Sequence, residues 1–461
     1  MNSQSKKMEL LGSASIPKAL LAMGIPTMIG MLVNAFYNLV DAYFVGGLGE
    51  SQMGAISVVY PLGQVVVGLG LLFGNGAASY ISRLLGRGDN ENADKVASTA
   101  LYSSISVGAV IIIISMIFLH PILKLLGATD SILPYAATYA GIYIVSCIFN
   151  VFNVTMNNTV TSEGAAKTTM CALLTGAALN IALDPLFIYV FDLGVAGAAI
   201  ATAISQVVST CVYLTYILRK KSVFHFRVKD CTYSKEIMSE IFKIGIPTLV
   251  FQILTSLSIS LINNAAGNYS DSAIAGMGVV TRLISMGSLS VFGFIKGFQP
   301  IAGYSYGAKK FDRLREAIKT SILWSTVFCV IFGLILALFP AAIVSQFTKG
   351  DTEMIRIGAA SLRANGITIM LFGFYTVYSS LFLALGKGKE GFILGACRQG
   401  ICFIPVILLL PMVWGLNGIL YTQPIADVLS AIITVFMAIP LHKKLNEMQR
   451  QVTVINTDEK N

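Results

Sequence analysis

Long apolar runs recur along the whole chain, and short polar stretches separate them. A helix that rises about 1.5 Å per residue needs about 20 apolar residues to cross a hydrocarbon core of about 30 Å. The pattern therefore predicts an all-α membrane protein with twelve transmembrane helices. The predicted spans are 18–46, 52–80, 94–119, 132–159, 168–191, 195–218, 239–266, 273–303, 316–339, 355–384, 391–413 and 417–440.

The second half of the chain repeats the first. The tetrapeptide GIPT occurs at Gly24–Thr27 and again at Gly245–Thr248. The two copies are 221 residues apart, a distance here called the repeat offset. Gly86 and Gly307 are separated by the same offset. Six spans per repeat is an even number, so the sequence predicts two six-helix bundles related by a pseudo-twofold axis along the membrane normal. The predicted domains are an N-lobe at 1–218, a cytoplasmic linker at 219–238, a C-lobe at 239–442 and a cytoplasmic polar tail at 443–461.

Two small-residue motifs occupy matching spans of the two repeats. Gly70 and Gly74 stand four residues apart in the second span, and Gly293 and Gly297 do so in the eighth. Glycines at this spacing let helix backbones approach closely in lipid. The motifs predict tight helix packing within each lobe.

The composition supports lipid as the solvent. Only 12% of the residues are charged and 55% are hydrophobic, against roughly 25% charged residues in soluble domains. The net charge is +9, and 26 of the 32 Lys and Arg residues lie in connections on one side of the membrane. Arg398 is counted among these 26. The positive-inside rule then places both termini in the cytoplasm. It accounts for the basic balance without a nucleic-acid partner, and the lipid bilayer is the expected environment.

Polar side chains form a stripe on the fourth predicted span and a second, shorter stripe on the first. Their spacing of three or four residues puts each set on one helix face. Such a face most simply lines a water-filled cavity, because unpaired polar groups are costly in lipid. Hydrogen bonding between helices is the structural alternative. The candidate substrate-chamber residues are Asn34, Tyr37, Asn38, Tyr143, Asn150, Asn153 and Asn157.

Two acids stand out within the N-lobe spans. Asp41 in the first span and Asp184 in the fifth lie at similar predicted depth, roughly 8 to 12 Å below the outer surface. Tyr139 and Thr202 share this depth, and Asn180 lies one turn deeper on the Asp184 face. Two carboxylates in a low-dielectric site favour uptake of a proton or a cation. If the ion is Na⁺, Asp41 and Asp184 are its predicted ligands; alternatively, Asp184 only caps a helix bent at Pro185.

The C-lobe lacks these acids. At the repeat offset, Asp41, Asn180, Asp184 and Thr202 correspond to Ile262, Ile401, Pro405 and Gln423, which places ion coupling in the N-lobe. Four other charges lie in C-lobe spans, and Asp427 is expected to pair with one of the three bases. The charges are Arg282, Lys296, Arg363 and Asp427.

Sequence signals for an enzyme are weak. Gly386–Gly391 matches G-x-G-x-x-G, but it lies in a short loop without a preceding strand. A Walker A sequence is absent, and the three histidines form no metal-binding pattern. We expect neither an enzymatic activity nor a cofactor.

The chain resembles the multidrug and toxic compound extrusion (MATE) family, in its prokaryotic branch with an acid pair in the N-lobe. The resemblance rests on Val40–Gly46, on SRLLG at Ser82–Gly86 and on LNIALDPLFI around Asp184, and it covers nearly the whole chain. It implies a monomer in the cytoplasmic membrane that exports small organic cations in exchange for inward H⁺ or Na⁺. It also implies that Asp41, Tyr139, Asn180, Asp184 and Thr202 form the ion-coupling network.

A second function remains open at this point, a flippase for a lipid-linked anionic precursor. Arg282, Lys296 and Arg363 would then bind the anionic headgroup. Convergence of these bases on a central cavity would favour the flippase. A cavity lined by Asn, Tyr, Met and Asp would favour cation efflux.

Overall fold

The computed structural model describes residues 3–48, 50–348 and 350–458. Within them, twelve helical segments are long and apolar enough to cross a membrane, which confirms the predicted number. The spans in order are Ile16–Gly46, Glu50–Arg87, Asn90–Ile117, Leu133–Ser162, Ala166–Val190, Gly194–Leu218, Lys235–Gly267, Asp271–Gly307, Phe311–Leu338, Thr352–Ala384, Gly388–Trp414 and Leu416–Asp458.

Local interruptions distinguish three of the spans. The fifth is an α-helix, Ala166–Pro185, followed by a π-helical turn at Leu186–Val190. The eleventh contains a π-helical turn at Cys397–Ile401. The tenth has a 3₁₀ turn at Ile369–Leu371. Such turns widen or tighten the backbone and often occur at functional sites.

The helix boundaries of the two halves repeat at the offset found in the sequence. Asn90–Ile117 and Phe311–Leu338 begin and end one repeat offset apart. Gly194 and Gly415, related in the same way, both adopt positive φ, 54° and 56°, where the chain turns into the sixth and twelfth spans. Glycine takes this left-handed conformation without the steric cost that a Cβ would add.

The two lobes touch through glycine contacts at the end of the bundle that holds both termini, here called the terminal end. A Cβ on Gly297 would overlap the backbone nitrogen of Gly24, and one on Gly245 would overlap the carbonyl oxygen of Leu72. The prediction that Gly293 and Gly297 pack within a lobe is therefore wrong, because both contact the first span of the other lobe. Gly70 and Gly74 do pack within the N-lobe, against the fourth span.

A short helix before the first span, Ser3–Gly12, bridges the lobes at the terminal end. Lys7 Nζ pairs with the fully buried Glu163 of the N-lobe at 3.2 Å. On the other side, Lys310 Nζ of the C-lobe donates to the carbonyl of Gly12 at 2.8 Å. The helix thus adds polar contacts to the glycine packing that joins the lobes.

Candidate functional site

The two N-lobe acids meet between the first and fifth spans, which pack against each other. The carboxyl groups of Asp41 and Asp184 lie close enough to interact with one another. Asp184 is fully buried, with 0% of its surface exposed. Two carboxylates repel each other unless one of them takes up a proton or a cation lies between them. Two neighbouring acids can therefore share one proton or bind another cation.

Buried oxygens at the pair lack donors. Asp41 Oδ1, Asp184 Oδ2 and Asn180 Oδ1 are each buried with no hydrogen-bond partner among the described residues. A buried acceptor without a donor is unfavourable by about 1 to 3 kcal/mol. Oxygen ligands of this type also suit a hard cation. The oxygen atoms at this position can bind either a proton or Na⁺.

The other predicted coupling residues surround the acids. Asn180 Nδ2 lies 3.3 Å from Asp184 Oδ1 and 3.5 Å from Thr202 Oγ1, the second being a long contact. Tyr139 lies close enough to Asp41 to interact electrostatically, and its ring stacks on that of Tyr143 with centroids 5.5 Å apart. The fold thus brings together all five residues predicted for ion coupling. Their role in transport stays a prediction.

Proline accounts for the local shape of the fifth span. Pro185 cannot donate a backbone hydrogen bond, and the helix widens directly after it into the π turn Leu186–Val190. The backbone of Phe191 then donates to the carbonyl of Leu186. Asp184, one residue before the proline, points at the first span from the end of the regular helix. A simple helix cap would accept a backbone N–H, whereas the Asp184 carboxyl accepts from the side chain of Asn180 and lies beside another acid.

Two asparagines of the polar stripe on the fourth span differ in their hydrogen bonding. Asn153 Nδ2 donates to the backbone and side-chain oxygens of Gln206, at 2.9 and 2.8 Å, and Asn153 Oδ1 accepts from Thr210 at 3.0 Å. Asn153 therefore joins the fourth and sixth spans, as in the structural alternative. Asn150 Oδ1 is buried without a partner among the described residues.

Asn157 reaches across the lobe boundary. Its Nδ2 donates to Tyr213 OH at 3.2 Å, and its Oδ1 accepts from Lys296 Nζ of the eighth span. On the first span, Asn38 is exposed and donates to the carbonyl of Asn34 at 2.7 Å, while Tyr37 is half-buried beside the acids. These side chains follow one N-lobe surface.

A cavity of about 540 Å³ lies between the lobes, and most of its wall belongs to the C-lobe. Met31, Tyr60, Leu71, Asn75 and Asn158 supply its N-lobe wall. None of the seven predicted chamber residues lines this cavity, so their assignment to a substrate chamber stays a prediction. No acid is among the described residues that line it, whereas Lys296 and Arg398 are.

The C-lobe charges depart from expectation. Asp427 Oδ1 pairs with Arg398 Nε at 2.7 Å, so the prediction that Arg282, Lys296 or Arg363 would be its partner is wrong. Arg398 was counted with the inner connections, but it is 4% exposed inside the eleventh span. Its position within the apolar run 391–413 was the signal that could have identified it.

The three bases considered for a flippase do not converge. Lys296 lines the cavity, whereas Arg282 and Arg363 are exposed. The cavity wall carries Asn, Tyr and Met side chains but no acid among the described residues. The flippase expectation required three converging bases, and the cation-efflux expectation required an acid in the wall. The cavity therefore matches neither expectation in full.

Comparisons with known proteins identify relatives over nearly the whole length. The MatE family model matches residues 26–186 and 247–409, and the starts of the two matches are separated by the repeat offset. The multidrug export protein MepA of Staphylococcus aureus is 32% identical over 429 residues, covering 93% of this chain and 94% of the relative. MepA of Staphylococcus saprophyticus is 30% identical over 433 residues, covering 94% and 95%.

Solved structures agree with the sequence relatives. The outward-facing conformation of a multidrug resistance MATE family transporter of the MOP superfamily aligns with a TM-score of 0.90 at 26% identity. A MATE structure in complex with MaL6 aligns equally well, with a TM-score of 0.90 and 26% identity. Each alignment covers 96% of this chain and 99% of the other.

Proposed function

The chain belongs to the MatE family of membrane transporters, and on that premise we propose that it is a multidrug efflux antiporter. It exports lipophilic organic cations in exchange for inward H⁺ or Na⁺. The observation that carries this proposal is the neighbouring pair of acids, Asp41 and Asp184, held between two packed spans of one lobe with buried oxygens that lack a hydrogen-bond partner among the described residues. Intramembrane acids mark ion pathways far more often than they serve packing.

Exchange follows from competition for one negative site. The pair without its proton attracts an organic cation that enters the N-lobe from the cytoplasm, and aromatic rings such as Tyr37 supply cation–π contact. A proton or Na⁺ arriving from outside binds the same oxygens and removes that attraction. Exchange of one drug cation for one monovalent ion moves no net charge, so it is driven by the ion gradient alone. If two ions enter for each drug cation, one net charge moves inward and gains about 2.3 kcal/mol per 100 mV. By the rule of tenfold per 1.4 kcal/mol, this supports roughly a fiftyfold drug gradient.

The proposed orientation has both termini in the cytoplasm of the cell that makes the protein. The lobes meet at the terminal end through Gly24, Gly297 and Gly245, which supports closure toward the cytoplasm in this conformation. Alternating access then requires these contacts to separate while the opposite end closes. The acids lie five and six residues from the far helix ends, at Gly46 and Val190, so they are close to the external side.

The test measures dye-cation efflux from proteoliposomes. Asp41→Asn and Asp184→Asn should each reduce ion-driven efflux to the level of empty liposomes, because an amide cannot cycle through a charged state. Asp192→Asn is the matched control, since this residue lies in the connection that follows the same span. Full efflux by either carboxyl variant would reject the proposal.

The same liposomes identify the coupling ion. An imposed pH gradient and an imposed sodium gradient are applied separately to the wild type. Efflux driven by the pH gradient alone assigns H⁺, and efflux driven by sodium at constant pH assigns Na⁺. Binding of the dye to purified protein, measured with each ion present, should show competition with the same ion.

A further inference from the structure

The cavity between the lobes carries a positive charge that the efflux of cations does not use. Lys296 lies eleven residues before the terminal-end boundary of its span at Gly307, and Arg398 lies ten residues after the boundary of its span at Gly388. At about 1.5 Å per residue, both lie about 15 Å from that end. They are therefore level with each other inside the membrane-spanning part of the bundle.

Lys296 has no acidic partner. Its Nζ contacts the side-chain oxygen of Asn157, a neutral acceptor, and it forms no salt bridge within the described residues. A cation at the membrane centre is unfavourable by at least several kcal/mol unless it is paired or hydrated. The ammonium group is thus a charge inside a membrane span whose counterion the surrounding protein does not supply.

Arg398 is only partly satisfied. Its Nε pairs with Asp427, which also accepts from Gln423 at 2.9 Å, and its guanidinium stacks over Phe372 at 4.6 Å. The two terminal nitrogens make no hydrogen bond to the described residues, and the side chain borders the cavity. Asp427 neutralises the guanidinium but leaves donors facing the open space. Lys296 therefore gives the cavity a net positive charge, and Arg398 adds hydrogen-bond donors.

The remaining wall suits an apolar body with a polar head. Phe251, Phe292 and Ile284 supply apolar surface, whereas Gln252 and Gln299 supply neutral hydrogen-bonding groups. The volume of about 540 Å³ falls in the range of about 300 to 1,000 Å³ that small-molecule sites occupy. Transporters of this architecture bind their ligands at the interface between the two repeats, where this cavity lies.

From these observations we infer that the cavity binds the anionic head of an amphiphile, a carboxylate or a phosphate on an apolar chain. Lys296 contacts the anionic oxygens directly, and the terminal nitrogens of Arg398 supply further donors. This ligand has the opposite charge to the cations proposed for the N-lobe, so the inference goes beyond the proposed function. The same head group is found on free amphiphilic acids and on anionic phospholipids.

The experiment uses the full-length protein in nanodiscs of neutral phosphatidylcholine. The probe is dansyl-undecanoic acid, with its methyl ester as the uncharged match. Wild type should bind the acid at least about tenfold more tightly than the ester, because charge-assisted hydrogen bonds exceed neutral ones. Lys296→Gln should remove this preference, and Lys296→Arg should retain it.

Controls separate the site from other causes. Arg363→Gln removes an exposed base away from the cavity and should leave acid binding unchanged. Asp41→Asn and Asp184→Asn should also bind the acid as the wild type does, so failure of this inference is distinct from failure of the efflux proposal. If Lys296→Gln does not fold, the comparison of acid with ester on the wild type still decides.

A second arm identifies the source of the ligand. Nanodiscs containing phosphatidylglycerol should displace the acid from the wild type if the head belongs to a membrane lipid. Retention of the acid in those nanodiscs assigns the site to a free amphiphile. Equal binding of acid and ester by the wild type, or unchanged preference in Lys296→Gln, would overturn the inference.

Discussion

The N-lobe and the C-lobe share one helical scaffold, but two sets of intramembrane charges without an oppositely charged partner among the described residues differ in sign: Asp41 and Asp184 in the N-lobe and Lys296 in the C-lobe. The third and ninth spans have the same length, and their boundaries match at the repeat offset. Yet the N-lobe acid Asp184 corresponds to Pro405, and the C-lobe base Lys296 corresponds to Asn75. A repeated scaffold therefore constrains packing, while a few intramembrane positions are free to diverge in chemistry.

The charges are also satisfied differently in the two lobes. The N-lobe acids contact one another and leave buried oxygens without donors among the described residues. In the C-lobe, Arg398 and Asp427 neutralise each other at 2.7 Å with side-chain exposures of 5% each. An acid–acid contact depends on a mobile ion for its stability, whereas an ion pair is complete in itself. This difference separates the proposed ion-exchange site from a structural pair.

The largest expected effect comes from breaking that pair. Asp427→Leu leaves the guanidinium of Arg398 buried without its counterion and should destabilise the protein by about 3 to 5 kcal/mol. The double variant with Arg398→Leu should recover much of the loss, because both charges are then absent. Thermal unfolding in detergent measures the difference.

Gln206, the residue equivalent to Asp427 in the N-lobe, provides the matched control. Gln206→Leu removes the hydrogen bond that its side chain accepts from Asn153 but leaves no buried charge unpaired, so about 1 kcal/mol is expected. Equal destabilisation by Asp427→Leu and Gln206→Leu would show that the C-lobe does not depend on a buried ion pair more than the N-lobe depends on the corresponding hydrogen bond.

A smaller effect is expected where the lobes meet. Gly297→Ala places a methyl group against the backbone of Gly24 and should disfavour the closed terminal end by about 1 to 3 kcal/mol. Spin labels at Glu91 and Glu316, one per lobe, should then report longer distances. Gly278→Ala in the same span meets nothing within 4 Å and should leave the distances unchanged.

Gly76→Ala tests the symmetry of the contact. Gly76 is the residue equivalent to Gly297 at the repeat offset, and its Cβ would overlap the carbonyl oxygen of Ile241. The two variants should open the terminal end to a similar extent. Opening by only one of them would mean that the lobes contribute unequally to closure.

The smallest effect concerns a helix cap outside the membrane. The backbone N–H of Met354 and the hydroxyl of Ser272 donate to Asp351, at 3.0 and 2.6 Å, and hold the pKa of Asp351 below its usual value. The cap therefore stabilises the tenth span above the unfolded pKa of about 3.9 and loses this contribution as the pH falls through the lowered folded value. Hydrogen exchange at Met354, corrected for intrinsic rates, should rise on acidification.

The N-lobe again supplies the control. Asp130 lies at the equivalent position, but the helix that follows it, Leu133–Ser162, has no side-chain cap. Asp130→Asn should leave exchange in the fourth span unchanged, whereas Asp351→Asn should make exchange at Met354 insensitive to acid. A matching response in both lobes would contradict the assignment of the cap.

Much of the fold and of the acid site could be predicted from the sequence. Apolar run length predicted the twelve spans, because the bilayer imposes one length on every crossing helix. The acid site was predictable because the depth of a residue in the membrane follows from the helix rise, and its helix face follows from the residue spacing. Depth and face together placed Asp41, Asp184 and Asn180 near one another. The roles of the chamber residues are still predictions.

Contacts between spans were not predictable in the same way. Periodicity indicates which face of a helix is polar, but it does not identify the neighbour that the face meets. Asn153 therefore bonds the sixth span, and Gly297 packs on the other lobe. Arg398 was misplaced because it was counted with the inner connections, although it lies within the predicted span 391–413, where its partner Asp427 comes from another span.

The sequence by itself determined the number of spans, the repeat that relates the two halves and the lobe that holds the acids. These features follow from local properties, namely hydropathy, spacing and residue identity. Tertiary structure alone decided which partner each buried charge has and which wall it faces. The physical reason is that pairing and burial depend on packing between spans distant in sequence, where a shift of one helix turn exchanges one neighbour for another.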